Sequence, residues 1–268
     1  MHNFRSEFFI TVTGTLNSPW DKNWKECIQT WGKDLIIKGY NLKVVIGDPN
    51  LDTEYKEQGN FLYVRCDDAK LGLVDKAVLS NKYFIEQTNS KYHIRIDSDT
   101  FVHPRRFDEW CLELNSKETT IDYLGCVLPY NMDHKVNYKY LPIMDGRFAS
   151  GAMYFLSRKS SETFVSNYTE DFLTHELMEG APINQVKGWD DRVVGSLLWL
   201  NGIKLTHDSR IFFDSKWNNG PDAHWGKLRN SLTQEIIWDP IYITEADWIV
   251  GQHYCSDHME ELIQWANA

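Results

Sequence analysis

The feature that most restricts what this chain can fold into is an exchange of two periods along its first hundred residues. Four short runs rich in β-branched and aromatic residues read as strands: Phe8-Phe9-Ile10-Thr11-Val12-Thr13, Leu42-Lys43-Val44-Val45-Ile46, Phe61-Leu62-Tyr63-Val64-Arg65-Cys66 and Tyr92-His93-Ile94-Arg95-Ile96. Between them, Trp24, Cys27, Ile28, Trp31 and Leu35, and later Leu73, Val74, Ala77, Asn81, Phe84 and Ile85, fall at helical spacing. Strands apolar on both faces need helices on both sides. The exchange therefore predicts an α/β fold with a mixed, mostly parallel central sheet flanked by helices. Beyond residue 100 the pattern predicts a helix opening near Pro104, strands at Tyr123–Leu128 and Ala152–Leu156, and a helix from Arg158. Another helix carries Val193, Val194, Leu197 and Leu198 and stops at Gly202. A late strand, Trp248-Ile249-Val250-Gly251, precedes a last helix opened by Ser256 and Asp257, with Glu260 completing a capping box. No repeat or linker interrupts the 268 residues, so a single domain over 1–268 is expected.

Composition excludes several classes. With 42% hydrophobic and 25% charged residues the chain is neither disordered nor fibrous. A formal charge of −10 argues against a nucleic-acid binder that depends on phosphate contacts, although Arg105-Arg106 and Lys227 to Arg229 are local basic clusters. The 11 Trp and 13 Tyr exceed what a core of this size needs, so some are expected to line a cleft. The cysteines, Cys27, Cys66, Cys111, Cys126 and Cys255, are odd in number and widely spaced, which fits a reducing compartment rather than a disulfide framework. No run of about 18 apolar residues occurs. A soluble, cytoplasmic protein is expected, with the Golgi lumen as the alternative if a membrane anchor has been removed.

The sharpest chemical signal is Ile94-Arg95-Ile96-Asp97-Ser98-Asp99-Thr100-Phe101-Val102, an apolar strand that delivers two carboxylates at its carboxyl end. Open α/β sheets bind ligands at that end. In an extended segment residues i and i+2 share a side, so Asp97 and Asp99 are expected to converge on a divalent cation, or on a cation and a ribose hydroxyl. Three further features accompany them. His253, after the late strand, is a candidate third ligand, and an imidazole among oxygen donors favours Mn²⁺ over Mg²⁺. Asp190 and Asp191 stand at a helix start, where acids suit the dipole and where a carboxylate at a cleft edge can serve as a general base. Phe148-Ala149-Ser150-Gly151-Ala152 places small residues just before a strand, where backbone can approach a ligand closely.

In this order and spacing, these segments resemble the fringe and β1,3-galactosyltransferase family of inverting, GT-A-fold glycosyltransferases, over roughly residues 8 to 260. Cys27-Ile28-Gln29-Thr30-Trp31 is similar to the family's first helix, which ends in Thr-Trp, and Asp68 through Lys76 keeps a family Asp-to-Lys spacing. Ile96-Asp97-Ser98-Asp99-Thr100-Phe101-Val102 resembles the family metal motif, Thr-Asp-Ser-Asp-x-Phe-Val in one of its forms. Ser150-Gly151-Ala152-Met153-Tyr154-Phe155-Leu156-Ser157 resembles a segment in which two family glycines are Ala152 and Met153 here, so the donor sugar is not carried over. Asp190 to Gly195 and Gly251-Gln252-His253-Tyr254 are similar to the two remaining motifs.

The resemblance implies a GT-A-type, Rossmann-like fold and a Mn²⁺-dependent (Mg²⁺ as substitute) inverting transfer from a nucleotide sugar, most often a UDP-sugar. It implies metal ligation by Asp99 and His253 with Asp97 assisting or holding the ribose. Donor contacts would come from Asp68, Lys76, Asp97, Ser98, Ser150, Gly151 and Ala152. The general base would be Asp191, with Asp190 as runner-up, and the loop from Glu179 to Gly188 a lid. The acceptor is a hydroxyl of a glycan, a protein or a modified nucleobase. Two other classes share part of this pattern. A phosphohydrolase of the haloacid-dehalogenase type also places Asp-x-Asp after a strand, but Thr100 falls one residue early and the motif lies far from the chain start. A non-catalytic glycan-binding module would use the aromatic residues to grip sugar and the acids to hold a structural cation.

Overall fold

The apolar runs become the middle of one sheet. The computed structural model describes residues 3–127 except Pro19 and Glu118, 148–174, 186–212 except Ser209, 250–252 and 259–267. The first strand, β1 (Phe8–Thr13), leads through α1 (Asp21–Cys27) and α2 (Lys33–Lys38) to β2 (Asn41–Gly47). Then come β3 (Tyr55–Gln58), β4 (Phe61–Val64), α3 (Leu73–Gln87), β5 (Tyr92–Asp97), β6 (Phe101–Val102) and α4 (Pro104–Ser116). Next are β7 (Tyr123–Val127), β8 (Ala149–Ser157), α5 (Arg158–Asn167) and α6 (Asp190–Leu200). The last described elements are β9 (Thr206–His207), β10 (Ile211–Phe212), β11 (Gly251–Gln252) and α7 (Met259–Ala266).

The main sheet runs β3-β4-β2-β1-β5-β8-β7-β9. Strands β4, β2, β1 and β5 are mutually parallel, and β8 then enters antiparallel between β5 and β7. The small sheet β10-β11-β6 sits beyond the carboxyl end of β5, because β6 follows that strand after one turn. The expected mixed, mostly parallel sheet is thus observed, with the parallel half built from the βαβ units that the two periods mark.

The pleat of β1 explains why both its faces are apolar. Phe8, Ile10 and Val12 pack with Trp24, Trp31 and Leu35 of the α1–α2 layer and with Phe107 and Trp110 of α4. Phe9 points the other way, against Tyr83 and Phe84 of α3. Each such ring contributes roughly 1.5–3 kcal/mol by leaving water. The second core, under β7 and β8, joins Val74 and Ala77 of α3 to Phe164 of α5 and Val193, Val194, Leu197 and Leu198 of α6.

Three departures from the sequence pattern have physical causes. The helix expected through Trp24, Cys27, Ile28, Trp31 and Leu35 is broken by a π-helical stretch at Ile28–Gly32, with Thr30 at φ −105° and ψ −109°. The Thr30 hydroxyl donates to the Glu26 carbonyl at 2.6 Å, taking an acceptor from the helical ladder. Strand β3 was unmarked because it is an exposed edge, Tyr-Lys-Glu-Gln, joined antiparallel to β4 by main-chain bonds and carrying no apolar alternation. Strand β8 begins at Ala149 rather than Ala152, so the small residues 149–151 belong to the strand, with Ala149 paired to Val127 of β7 across an irregularity in register.

A buried ion pair pins the carboxyl ends of the parallel strands together. Asp68 Oδ1 accepts from the Gly47 amide at 2.9 Å, and Oδ2 accepts from the Thr15 hydroxyl at 2.9 Å and the Leu16 amide at 2.6 Å. Lys76, buried in α3, donates to Asp68 Oδ1 at 2.8 Å and to the Gly14 carbonyl at 2.7 Å. The turn carrying Asp68 passes so close to α3 that a Cβ at Gly72 would strike the Asp67 carbonyl. Removing the lysine leaves a carboxylate shielded from water without its counter-charge. Lys76→Met is expected to lower stability by about 3–5 kcal/mol, read as a lower urea midpoint; a loss under about 1 kcal/mol would mean the strand ends are held otherwise.

Between β1, β5 and α3 the fully buried His93 is bonded at both nitrogens, Nε2 to the Thr11 hydroxyl at 2.8 Å and Nδ1 to Asn81 Oδ1 at 2.9 Å. Because Asn81 Oδ1 can only accept, Nδ1 carries the proton and Nε2 accepts from Thr11. Burial, reinforced by the nearby Arg95 charge, pushes the imidazole down from 6.5 to about 3. Unfolding restores the ordinary value, so the unfolded chain takes the proton first. Stability from this residue is complete above pH 6.5 and is lost as pH falls toward about 3. A His93→Gln variant is expected to lose stability less steeply than the wild type between those pH values in urea titrations; equal slopes would refute the assignment.

Candidate active site

Strand β5 carries the site. Its pleat sets Ile94 and Ile96 on the face toward α1 and α4 and puts His93, Arg95 and Asp97 on the opposite face, a polar stripe that ends at the carboxyl edge of the sheet. Arg95 is 3% exposed, so its charge must be answered inside the protein. Its Nη1 meets Asp97 Oδ1 at 2.7 Å and also donates to the Gly151 carbonyl of β8; its Nη2 meets Asp190 Oδ2 at 2.8 Å. The guanidinium lies over the Tyr154 ring, 5.6 Å from the centroid.

Gly151 is the close approach in this cluster. A Cβ there would lie 3.0 Å from Asp97 Oδ2, 3.3 Å from Arg95 Nη1 and 3.6 Å from Asp191 Oδ2. Its amide donates to Asp191 Oδ2 at 3.2 Å, which links β8 to the first turn of α6. The two acids of that turn have different surroundings. Asp190 is 4% exposed and engaged by Arg95, whereas Asp191 is half-buried, its Oδ1 accepting from the Arg192 amide at 2.8 Å. Burial pushes both carboxyls up from their ordinary value, against the opposing pull of Arg95 on Asp190 and of Arg192 and Arg95 on Asp191. Arg192 lies 4.2 Å from the centroid of the Trp189 ring, at the mouth of the same turn.

The Asp97-Ser98-Asp99 segment is not extended, which corrects the geometry expected for it. Asp97 ends β5, and the Thr100 amide donates back to the Asp97 carbonyl at 3.1 Å, closing a turn. The alternation of a strand therefore stops at Asp97. The turn is fixed from below: the Cys27 thiol donates to the Ser98 carbonyl at 2.8 Å and the Thr100 hydroxyl to the Ala152 carbonyl at 3.0 Å. Residues 97–99 remain half-buried, within reach of solvent at the carboxyl edge of the sheet.

The structure thus brings together Asp97, Gly151, Asp190 and Asp191, and places Asp99 and Ser98 in the turn beside them. Asp68 and Lys76 stand along the same sheet edge, at the ends of β1 and β2. Ser150 and Ala152 are fully buried, because neighbours of Gly151 on a strand face away from the carboxylates. His253, the Ser256–Asp257 cap, Lys227 to Arg229 and the loop from 175 to 185 lie outside the described residues. The end of that loop is described, and the Lys187 carbonyl accepts from the Val74 amide of α3 at 3.3 Å.

For a divalent cation, the test is the donor set. Among the described residues no group of three or more His, Cys, Asp or Glu is placed to hold a metal ion. What they do supply is hard oxygen: Asp97, with Oδ1 on Arg95 and Oδ2 facing the space a Cβ at 151 would fill, and Asp99 in the turn that follows. Such donors suit Mn²⁺ or Mg²⁺ rather than a soft ion.

Sequence reasoning gave no role to Arg95 or Cys27. Arg95 was visible as one of three polar residues alternating with isoleucine in a strand otherwise buried on both sides; a guanidinium in that place requires carboxylate partners. Cys27 carried no comparable sign, since its contact with Ser98 depends on how α1 packs.

No protein-family model and no curated protein matches the chain. Solved structures do. The galactosyltransferase LgtC in complex with donor and acceptor sugar analogs is 11% identical, with a TM-score of 0.50 and 95% of each chain covered; an active-site mutant of LgtC gives the same values. A glycosyltransferase involved in the glycosylation of the major capsid of PBCV-1 is 12% identical over 97% of this chain and 98% of its own, with a TM-score of 0.47. The likeness to LgtC is one of fold: a mixed α/β sheet flanked by helices, in the GT-A arrangement of glycosyltransferases.

Proposed function

We propose that this chain is a glycosyltransferase that moves a sugar from a nucleotide sugar, a UDP-sugar first among them, to an acceptor hydroxyl with inversion at the anomeric carbon. The observation that carries the reading is the meeting of Asp97, Gly151 and Asp191 at the carboxyl edge of the parallel strands, where this class of sheet binds its ligands. The fold shared with LgtC supports sugar transfer as such, and the resemblance of the Asp97–Val102 and Asp190–Gly195 segments to the fringe and β1,3-galactosyltransferase motifs is what favours inversion. Among the described residues no helix is long and apolar enough to cross a membrane.

In this reading the pin made by Asp68 and Lys76 frames the nucleotide, and Gly151 lets main chain approach the transferred sugar. Asp97 and Asp99, together with His253, would hold a divalent cation, which when bound offsets the negative charge of the departing diphosphate. Asp191 takes the proton of the acceptor hydroxyl while that oxygen attacks the anomeric carbon. The carbon–oxygen bond to the diphosphate breaks with its electron pair leaving on the nucleotide, so a single displacement inverts the centre. Asp191 suits this task better than Asp190: it is half-buried rather than enclosed, and its carboxylate accepts from the Gly151 and Arg192 amides, whereas Asp190 is ion-paired directly with Arg95. Its raised pKa makes it a better proton acceptor than a solvated aspartate.

Calorimetric titration with UDP is expected to show binding in Mn²⁺ that vanishes with EDTA; absence of binding to UDP and to other nucleotides in Mn²⁺ would overturn the reading. Asp191→Asn is expected to lower kcat by about 10²–10⁴-fold while leaving UDP affinity near the wild-type value. Asp99→Ala is expected to abolish metal-dependent turnover. Wild-type turnover in either variant would remove that residue from the mechanism. A protein that binds glycan but turns over no donor would instead be the binding module.

A further inference from the structure

Arg95 has no part in the chemistry assigned above, yet it touches three of the elements that do. Its guanidinium joins β5 through Asp97, β8 through the Gly151 carbonyl and α6 through Asp190. These are also the elements that bring the donor side and the proposed base together, since Asp191 follows Asp190 in the same helical turn and bonds the Gly151 amide at 3.2 Å. Only a guanidinium offers donors along two edges of one rigid plane; an ammonium is a point charge and cannot hold two carboxylates at a set angle. Stability alone does not call for such a group, because a buried ion pair is commonly matched by apolar residues of the same volume. Enclosing Arg95 at 3% exposure and Asp190 at 4% thus spends desolvation on orientation. The Tyr154 ring beneath the guanidinium limits its tilt, since Tyr154 is itself fully buried on β8.

We propose that Arg95 is a positioning residue: by holding Asp97, the Gly151 carbonyl and Asp190 on one plane, it sets the separation between the donor-side carboxylate and Asp191. Asp190 is then the counter-ion of Arg95 and not a second base. The inference rests on the transferase reading for its catalytic consequence, while its geometric claim can be tested without turnover.

Two variants separate positioning from charge balance. Arg95→Lys keeps the charge and loses the fork; kcat is expected to fall about 10–100-fold, as for other residues that orient a site from behind, with KM for donor and acceptor little changed. Arg95→Met leaves Asp190 uncompensated and is expected to lower the thermal midpoint. Pairing it with Asp190→Leu should restore the midpoint without restoring kcat. A double variant that regains both, or an Arg95→Lys enzyme with wild-type kcat, would overturn the proposal. If the wild type turns over no nucleotide sugar, the transferase reading fails and the geometric claim is judged by hydrogen exchange. In Arg95→Lys, amides of residues 149–153 and 190–193 should exchange faster while those of β1 and β2 keep their protection. Unchanged exchange at 149–153 and 190–193 would overturn it in that case too.

Discussion

A positive charge enclosed beneath the carboxyl edge of a sheet has to be met by negative charge at hydrogen-bond distance, and in this protein that requirement draws β5, β8 and α6 to one point. Arg95 cannot shed its proton and cannot reach water, so its partners are obligatory. Asp97 and Asp190 supply the charge and the Gly151 carbonyl takes a further donor. The consequences reach outward. Asp190 is held in place, so the first turn of α6 is anchored; Asp191 is carried to the Gly151 amide; and the absence of a side chain at 151 keeps the space between the carboxylates open.

The other end of the site is held by a similar device. Where parallel strands stop, their last amides and carbonyls lose ladder partners and something must replace them. Asp68 accepts from Gly47, Leu16 and Thr15, while Lys76 donates to Gly14, so one buried pair closes the ends of β1 and β2 and the start of α3. The carboxyl edge of the sheet therefore carries two pins, with the Asp97–Thr100 turn, braced by Cys27, at the end of β5. In the proposed transferase, a site assembled this way would meet donor and acceptor with little reordering, which is what holding a substrate at reactive distance demands.

Much of the fold was legible. The apolar runs at Phe8, Leu42, Phe61 and Tyr92 lie where strands form, because a strand buried on both faces must be apolar at consecutive positions. The helix with Phe84 lies where the helical period places it. The edge strand β3 was not legible, since an exposed edge needs no apolar pattern, and the break at Thr30 arises from one hydroxyl competing for a carbonyl. Of the site, Asp97, Asp190, Asp191 and Gly151 were singled out as motif residues, and they converge. Ser150 and Ala152 were grouped with Gly151 by adjacency, whereas the pleat turns them away from it.

The order of the βαβ units, the identity of the buried strands and the carboxylates at the end of β5 were determined by the sequence itself, because each depends on a period or a motif a few residues long. Which acid is neutralised and which remains available was decided by the tertiary structure alone. Asp190 and Asp191 are adjacent and identical in chemistry; they differ because Arg95, nearly a hundred residues earlier, forms its direct ion pair with Asp190, while Asp191 bonds main-chain amides. Partner choice in a buried charge cluster is a matter of distance and enclosure across elements, and no local pattern in the chain encodes it.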